Sequence, residues 1–482
     1  MIARLSADAL ADIQGFVTSG YGHLPVATYL FVHIVDPAAG QAWLASIAST
    51  ITSAAPWPKD ASGEKIKPTS AANVGFTVSG LAALGLPEDV RCTFPPEFQD
   101  GIATPDRSAI LGDTEASAPA TWEVGSPAGR AIHAVLIVHG ATADDLDRAC
   151  AEQRALLARH AGVEEIAGAT QHGYRPDADV EPFGFHDGIA QPPIGGISGE
   201  GVPTGEFILG YENHYGTIPP TPVVPADLDR DARLPAYANP FHPSGAFKDL
   251  GANGSFVVYR KLQQDVAGFW QFAKREAHRA TGNDDRDAMI WIASRMMGRW
   301  PGGAPLAISP DRDDPALKDH NEFLYDNDVD GFACPLGAHV RRTNPRAVLK
   351  PYPGPNSLSM TEAHRLLRRA RVFGPPLADR LVDDGAARGI HFFCVNASIK
   401  SQFEFVQQTW CNNPRFGGLN DNKDPIIGDN GCPSQPPTYM TIRRQPSGYR
   451  TGALPRFVTV RGGAYLFMPS LTALRFLAAL PR

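Results

Sequence analysis

The chain is short of the features that assign a protein quickly. Its 482 residues hold six cysteines, Cys92, Cys150, Cys334, Cys394, Cys411 and Cys432, with no CxxC pair, no zinc-like quartet and no CxxCH. That scatter excludes a disulfide framework and a cysteine-ligated metal centre, and it predicts thiols that are mostly reduced, buried small hydrophobes. No apolar run approaches the roughly 20 residues that span a bilayer. The opening MIARLSADALADIQGF lacks the uninterrupted apolar core of an export signal, so the expected location is cytoplasmic, away from any membrane. A basic excess is missing as well: 44 Lys+Arg against 51 Asp+Glu leave a formal charge of −7, which excludes a nucleic-acid scaffold. No heptads stand out, and a monomer and a homodimer both stay open. What remains, at 43% hydrophobic and 20% charged residues, is an ordinary globular composition on a chain too long for one growing core, so two domains are expected.

Four stretches share one local plan, a β-rich run, a polar turn and an amphipathic helix. They begin at Ala27 (ATYLFVHIVD), Ile132 (IHAVLIVH), Ser255 (SFVVYRK) and Ile390 (IHFFCV, followed by SIKSQFEFVQQTW). Between the second and third lies a connector from Thr217 to Gly245, with TIPPTPVVP and FHPSG, whose prolines exclude regular helix and central strand. Two βα units per half predict an α+β chain of two ferredoxin-like domains with antiparallel sheets, residues 1–230 and 231–482. The chain closes with FVTVRGGAYLFMP, read as two short strands around Gly462-Gly463, then a helix from Leu471.

One metal motif fails. Asp326-Asn-Asp328-Val-Asp330-Gly331 copies the start of a calcium-binding EF-hand loop, but the twelfth position, which needs a bidentate glutamate, is Gly337. A solvated acidic turn is the expectation.

Three other segments carry chemistry-bearing residues. EPFGFHDGIAQP (181–192) sets one acid, Asp187, among glycines, aromatics and prolines, a composition that marks an irregular segment packed against something. CPLGAHVRRTNPR (334–346) places His339 after small residues, which would let a bulky planar group approach it, and before three arginines. HRLLRRARVFGPP (364–376) concentrates arginine where an amphipathic helix is expected to end at a glycine–proline break, a place where cations also serve as plain caps.

Together these segments resemble the dye-decolourising peroxidase family, in its longer and expectedly intracellular subclass. Gly184-Phe-His-Asp187-Gly188 fits that family's GxxDG motif, CPLGAHVRRTNPR fits its haem-ligand segment, and the run from Arg368 to Gly374 is similar to its RRGxPYG segment. Supporting similarity runs through ANVGFTVSGLAALGLP, GEFILGY, NGSFVVYRKLQQDV, MMGRWPGGAPL and QFEFVQQTW. The resemblance implies two ferredoxin-like domains in a dimeric α/β-barrel-like arrangement. It also implies one non-covalent haem b, and reduction of hydrogen peroxide through a ferryl intermediate with oxidation of dyes, phenols and other aromatic donors.

By motif position, the resemblance makes Asp187 the distal acid, His339 the iron ligand and Arg368 the distal arginine. Gly188, Ile189, Arg342, Ile390, Phe392 and Asp424 are expected beside the cofactor, Asp424 as the hydrogen-bond acceptor of His339. The third motif departs from the family pattern: it reads RRARVFG, with Ala370 for the glycine, an extra cation at Arg371 and Val372 for the proline, so Arg369 and Arg371 rival Arg368. Such chemistry needs a movable acid that takes a proton from one peroxide oxygen and returns it to the other, and a permanent cation for the charge that develops. An ordinary aspartate ionises near pH about 3.9, and an acidic activity optimum is expected. Donors too bulky for a buried cofactor would need a surface aromatic as relay, and nothing singles one out among seven tryptophans and twelve tyrosines. The rival readings are a haem carrier or sensor, and a related haem enzyme that acts on chlorite or removes iron from haem.

Overall fold

The computed structural model describes residues 4–197, 199, 201–237, 245–349 and 353–481; most of FHPSG lies outside them. In the first half, β1 (Val26–Ile34) leads to α1 (Pro37–Ile47), which starts where the Asp36 carboxylate accepts from the Ala39 N–H and Pro37 presets the first turn. β2 (Ser70–Phe76), β3 (Ala134–Gly140), α2 (Ala143–Ala158), β4 (Val163–Glu165) and β5 (Gln171–Tyr174) follow. The second half repeats the plan with β6 (Ser255–Gln264) and α3 (Val266–Thr281), then α4 (Arg286–Met297), α5 (His339–Thr343) and α6 (Pro355–Glu362). It ends with β7 (Leu367–Arg368), β8 (Arg371–Phe373), β9 (Gly389–Asn396), a π-helical stretch over Lys400–Glu404 and Val406–Cys411, β10 (Val458–Met468) and α7 (Leu471–Leu477).

The strands form one antiparallel sheet in the order β8-β5-β1-β3-β2-β10-β6-β9-β7, with β4 on β1, and β8 also pairs with β9, so the sheet closes on itself. Each half contributes its strands in the same relative order, fourth-first-third-second, the split βαβ plan expected from the repeats. The two halves meet through single residue pairs, Phe467 with Phe76 and Val372 with Tyr174. Alternation along each strand sorts the side chains. One set, including Tyr29, Phe31, Val257, Tyr259 and Phe393, fills the barrel interior, where Tyr29 and Tyr259 meet across it with ring centroids 6.4 Å apart. The other set faces outward, towards the helices.

Four expectations need correction. Residues 458–468 are one strand, not two: Gly462-Gly463 is not a hairpin turn but follows a bulge where the register shifts between Val460 and Gly462, and Gly463 leaves room for the Trp122 ring. The arginine-rich run from His364 is not a helix ending in a cap. Leu367 and Arg368 pair with Val395 and Cys394, and Arg371–Phe373 is the stave that closes the barrel, so long-range pairing overrides helix propensity. The acidic turn is only partly solvated: Asp328 is buried, accepts from the Ala333 and Cys334 N–H groups and pairs with Arg341. The small residues before His339 do not open a path to it. Ala338 and Cys334 pack against Gly298, and Gly337 faces Leu419.

Candidate active site

On the outer face of the second half lies a cavity with about 1850 Å³ of empty space, its mouth included. Leu262 of β6, Ile390 and Phe392 of β9, Val458 and Val460 of β10, and Ile426 and Ile427 give it apolar walls. Asp187, Ile189, Arg368 and His339 all line it. The sequence thus brings together residues 181 positions apart.

The Asp187 loop is wound around a second acid. Glu181 accepts from the Phe183 and Phe185 N–H groups, both at 3.0 Å, and from Gln264 Nε2 at 2.8 Å, while Phe183 and Phe185 pack on Phe269 and Trp270. Gly184 has φ +96, and a Cβ there would strike the Arg380 guanidinium, so only glycine fits the turn. This frame leaves the Asp187 side chain 38% exposed at the cavity, held by the Gly188 N–H at 2.6 Å. Gly188 is not part of the wall; it holds the acid. His186, given no role from sequence, also lines the cavity and meets Asp319 at 2.8 Å.

Of the three rival arginines only Arg368 reaches the cavity, with its Nη1 3.6 Å from Asp187 Oδ1. Arg369 turns to the Phe16 and Val17 carbonyls and Arg371 to those of Gly20, Tyr21 and Leu24, because neighbours on an extended chain face opposite ways. The Arg368 N–H donates to Gln191 Oε1 at 2.9 Å, which ties the first motif directly to the third.

His339 opens α5, and its Nδ1 lies 3.0 Å from Asp424 Oδ2. Asp424 is fully buried, with its other oxygen taking the Ile426 and Ile427 N–H groups. Burial alone would raise that carboxyl; the His339 imidazole and the backbone donors outweigh it and hold the group below its ordinary range. A carboxylate there accepts a hydrogen bond from Nδ1–H, which keeps the proton on Nδ1 and leaves Nε2 as the free nitrogen.

Arg342, expected at the cofactor, is not in the cavity: it is buried against the carbonyls of Trp410, Asn413 and Asn422, which hold the π-helical stretch in place. Arg346 lines the cavity instead, at φ 56, a strained conformation for a side-chain-bearing residue, and its buried Nε has no partner among the described residues. Sequence reasoning missed it although it closes the histidine segment. It also missed Glu181, Gln264, Arg260 and Arg299. Burial pushes Glu181 up to about 7 against its three donors, with the neighbouring Asp187 charge acting in the same direction. Among the described residues no group of His, Cys, Asp and Glu is arranged to hold a bare metal ion. The donor set, one imidazole nitrogen, apolar walls and buried guanidinium N–H groups, suits a flat macrocycle with anionic arms.

Residues 12–170 match the family model of the DyP dimeric alpha+beta barrel domain. A dye-decolorizing peroxidase of Mycena epipterygia is 30% identical over 451 residues, 86% of this chain and 77% of that protein. A multifunctional dye peroxidase of Amycolatopsis sp. is 29% identical over 93% of this chain and 92% of its own length. Among solved structures, a fungal DyP-type peroxidase from Auricularia auricula-judae superposes with a TM-score of 0.77 at 27% identity, covering 98% of this chain and 99% of that one. A dye-decolorizing peroxidase solved in complex with 2,6-dimethoxyphenol does so with equal score and coverage. Fold, site and relatives agree: this chain belongs to the dye-decolorizing peroxidase family.

Proposed function

We propose that this chain is a haem b peroxidase that reduces hydrogen peroxide to water while oxidising dyes, phenols and other aromatic donors. One observation carries the reading: Asp187 and Arg368 stand 3.6 Å apart in the cavity that also receives His339. His339 Nε2 would ligate the iron and Arg346 would take an anionic arm of the macrocycle. When bound, haem supplies the electrons that cleave the peroxide O–O bond.

The remaining chemistry belongs to the chain. Asp187 accepts a proton from one peroxide oxygen and returns it to the departing one; its partial exposure and its light tethering by the Gly188 N–H let the carboxyl turn between them. Arg368 stays protonated and stabilises the negative charge that develops on the departing oxygen. Leu262, Ile390 and Phe392 keep bulk water from competing. The six free cysteines suit a reducing, cytoplasmic setting, and no helix among the described residues is long and apolar enough to cross a membrane.

The test is stopped-flow absorption of the haem-loaded protein after one equivalent of peroxide, beside Asp187→Ala, Arg368→Ala and His339→Ala. The expected result is loss of haem or a changed resting spectrum in the His339 variant alone. Oxidation by peroxide should be slowed about 10²–10³-fold in at least one of the other two. Wild-type protein that binds haem but does not react with peroxide would make a haem carrier the better account.

A further inference from the structure

Behind the cavity wall lies a buried phenol with its own base. Tyr465 of β10 is 2% exposed, and its O–H donates to Glu404 Oε1 at 2.8 Å. The other oxygen of Glu404 accepts from Arg107 Nη1 at 3.0 Å, and Arg107 also pairs at 2.9 Å with Asp100, whose side chain is 45% exposed. The Tyr465 ring is 6.5 Å from Phe403, and Phe403 is 6.3 Å from Phe392; both phenylalanines line the cavity. An aromatic path thus runs from the cavity to Tyr465, and a charged path runs on from Glu404 to solvent.

We propose that Tyr465 is a redox-active residue that gives one electron to the peroxide-oxidised cofactor and its phenolic proton to Glu404. The proposal rests on the peroxidase reading. The Tyr465 O–H bond breaks, an O–H bond forms on Glu404 Oε1, the cofactor is reduced by one equivalent, and a neutral phenoxyl radical remains. One electron from an aromatic donor, with return of the proton from Glu404, restores the pair.

Burial keeps the Tyr465 phenol protonated far above its usual range, so it yields an electron only if its proton has a destination. Glu404 provides one at low cost. Burial raises this carboxyl, so protonation neutralises a charge the interior disfavours, and Arg107 keeps Asp100. Other buried tyrosines lack some part of this arrangement. Tyr259 meets His391 Nδ1 at 3.2 Å inside the barrel, but a proton there would create a buried imidazolium, which burial, with Lys261 adding to it, holds down to about 3. The Tyr29 hydroxyl has no hydrogen-bond partner among the described residues. Tyr449 has Glu276 at 2.5 Å, but among the described residues no ring contact links it to the cavity.

The experiment is freeze-quench electron paramagnetic resonance of the haem-loaded protein after one equivalent of peroxide without donor, with ring-deuterated tyrosine for assignment. Infrared difference spectra would follow the Glu404 carboxyl. A tyrosyl signal is expected in wild type and in Tyr259→Phe and Tyr449→Phe, lost in Tyr465→Phe, and formed at least about tenfold more slowly in Glu404→Gln. A protonated-carboxyl band should rise with the signal and be absent in Glu404→Gln. Cofactor content and melting temperature confirm that each variant is folded. Three outcomes overturn the inference while the peroxidase reading stands: a signal that survives Tyr465→Phe, one that vanishes in Tyr259→Phe or Tyr449→Phe, or no tyrosyl signal despite an oxidised cofactor spectrum. A wild-type absorption spectrum that peroxide leaves unchanged overturns the peroxidase reading itself, and this inference with it.

Discussion

On the outer face of the first half, Leu30 and Val32 of β1 and Leu136 of β3 are fully buried in a core shared with Trp43, Leu44 and Ile47 of α1. On the matching strands of the second half, β6 and β9, Arg260, Leu262, Gln264, Ile390 and Phe392 line open space. Strand order is the same in both halves, so topology does not make the cavity. Two connections differ. Between the first helix and the second strand lie residues 48–69 in the first half and residues 282–366 in the second, a segment that carries α4, α5 with His339, and α6. Between the third strand and the fourth lie residues 141–170 in the first half and residues 397–457 in the second, which bring Phe403, Ile426 and Ile427 to the cavity. A repeated fold acquires a site here by lengthening these two connections.

Truncations on the two faces test that contrast most strongly. Leu136→Ala should cost 2–5 kcal/mol in denaturant unfolding, as is typical of about one buried leucine opened into a closed core, with cofactor content unchanged. Ile390→Ala, which already borders free space, should cost no more than about 2 kcal/mol while changing which donors are oxidised. Equal losses would mean that the two faces are equally closed, and the comparison would break.

A smaller effect comes from pH. Glu181 lines the second-half cavity and titrates near 7 when folded, above its unfolded value, so the native state holds the extra proton between about pH 4.5 and 7. Stability should therefore fall as pH rises through that window, by at most about 3.5 kcal/mol, and level off above it. Thermal melts across pH 4 to 8 for wild type and Glu181→Gln check this, because the variant should lose that slope. A slope that persists would place the titration elsewhere.

The smallest expected effect concerns the bond between the two lengthened segments, from His339 in one to Asp424 in the other. Asp424→Asn keeps the shape but turns an N–H towards the His339 Nδ1 and upsets its tautomer, so cofactor affinity should drop about 10–100-fold, read as faster haem transfer to a competing haem-binding protein. An unchanged transfer rate would detach the second-half cavity from His339.

The repeats were legible because β-rich runs and amphipathic helices are local signals, and the two matching halves follow from them. The three motif segments were legible as compositions out of place in loops and helices. Arg368 could be separated from Arg369 and Arg371 only by strand pairing with β9 and β5, a contact between distant segments that no window of sequence contains. Arg342 and Arg346 look alike in sequence, and a single backbone conformation, φ 56 at Arg346, helps direct one of them into the cavity. Gly462-Gly463 carries a turn signal, yet the close approach of Trp122 explains a glycine there equally well. Glu181 was hidden by its neighbour: it opens the segment that contains Asp187, and nothing local reveals that backbone donors will wrap around it.

The bond from the Arg368 N–H to Gln191 Oε1 has a consequence for recombination. A chimera spliced in the proline-rich connector inherits Asp187 and Gln191 from one parent, and His339, Arg368 and Asp424 from the other. Its two fragments must then remake the bonds that join the Asp187 segment to the second half, among them Gln191 Oε1 with the Arg368 N–H, Glu181 with Gln264 Nε2, and the Phe183 carbonyl with Trp270 Nε1. Gln191 and Glu181 are therefore positions to match between parents alongside Asp187 itself, and a shuffled library that leaves both free to vary is expected to lose the Asp187–Arg368 alignment in clones that still fold.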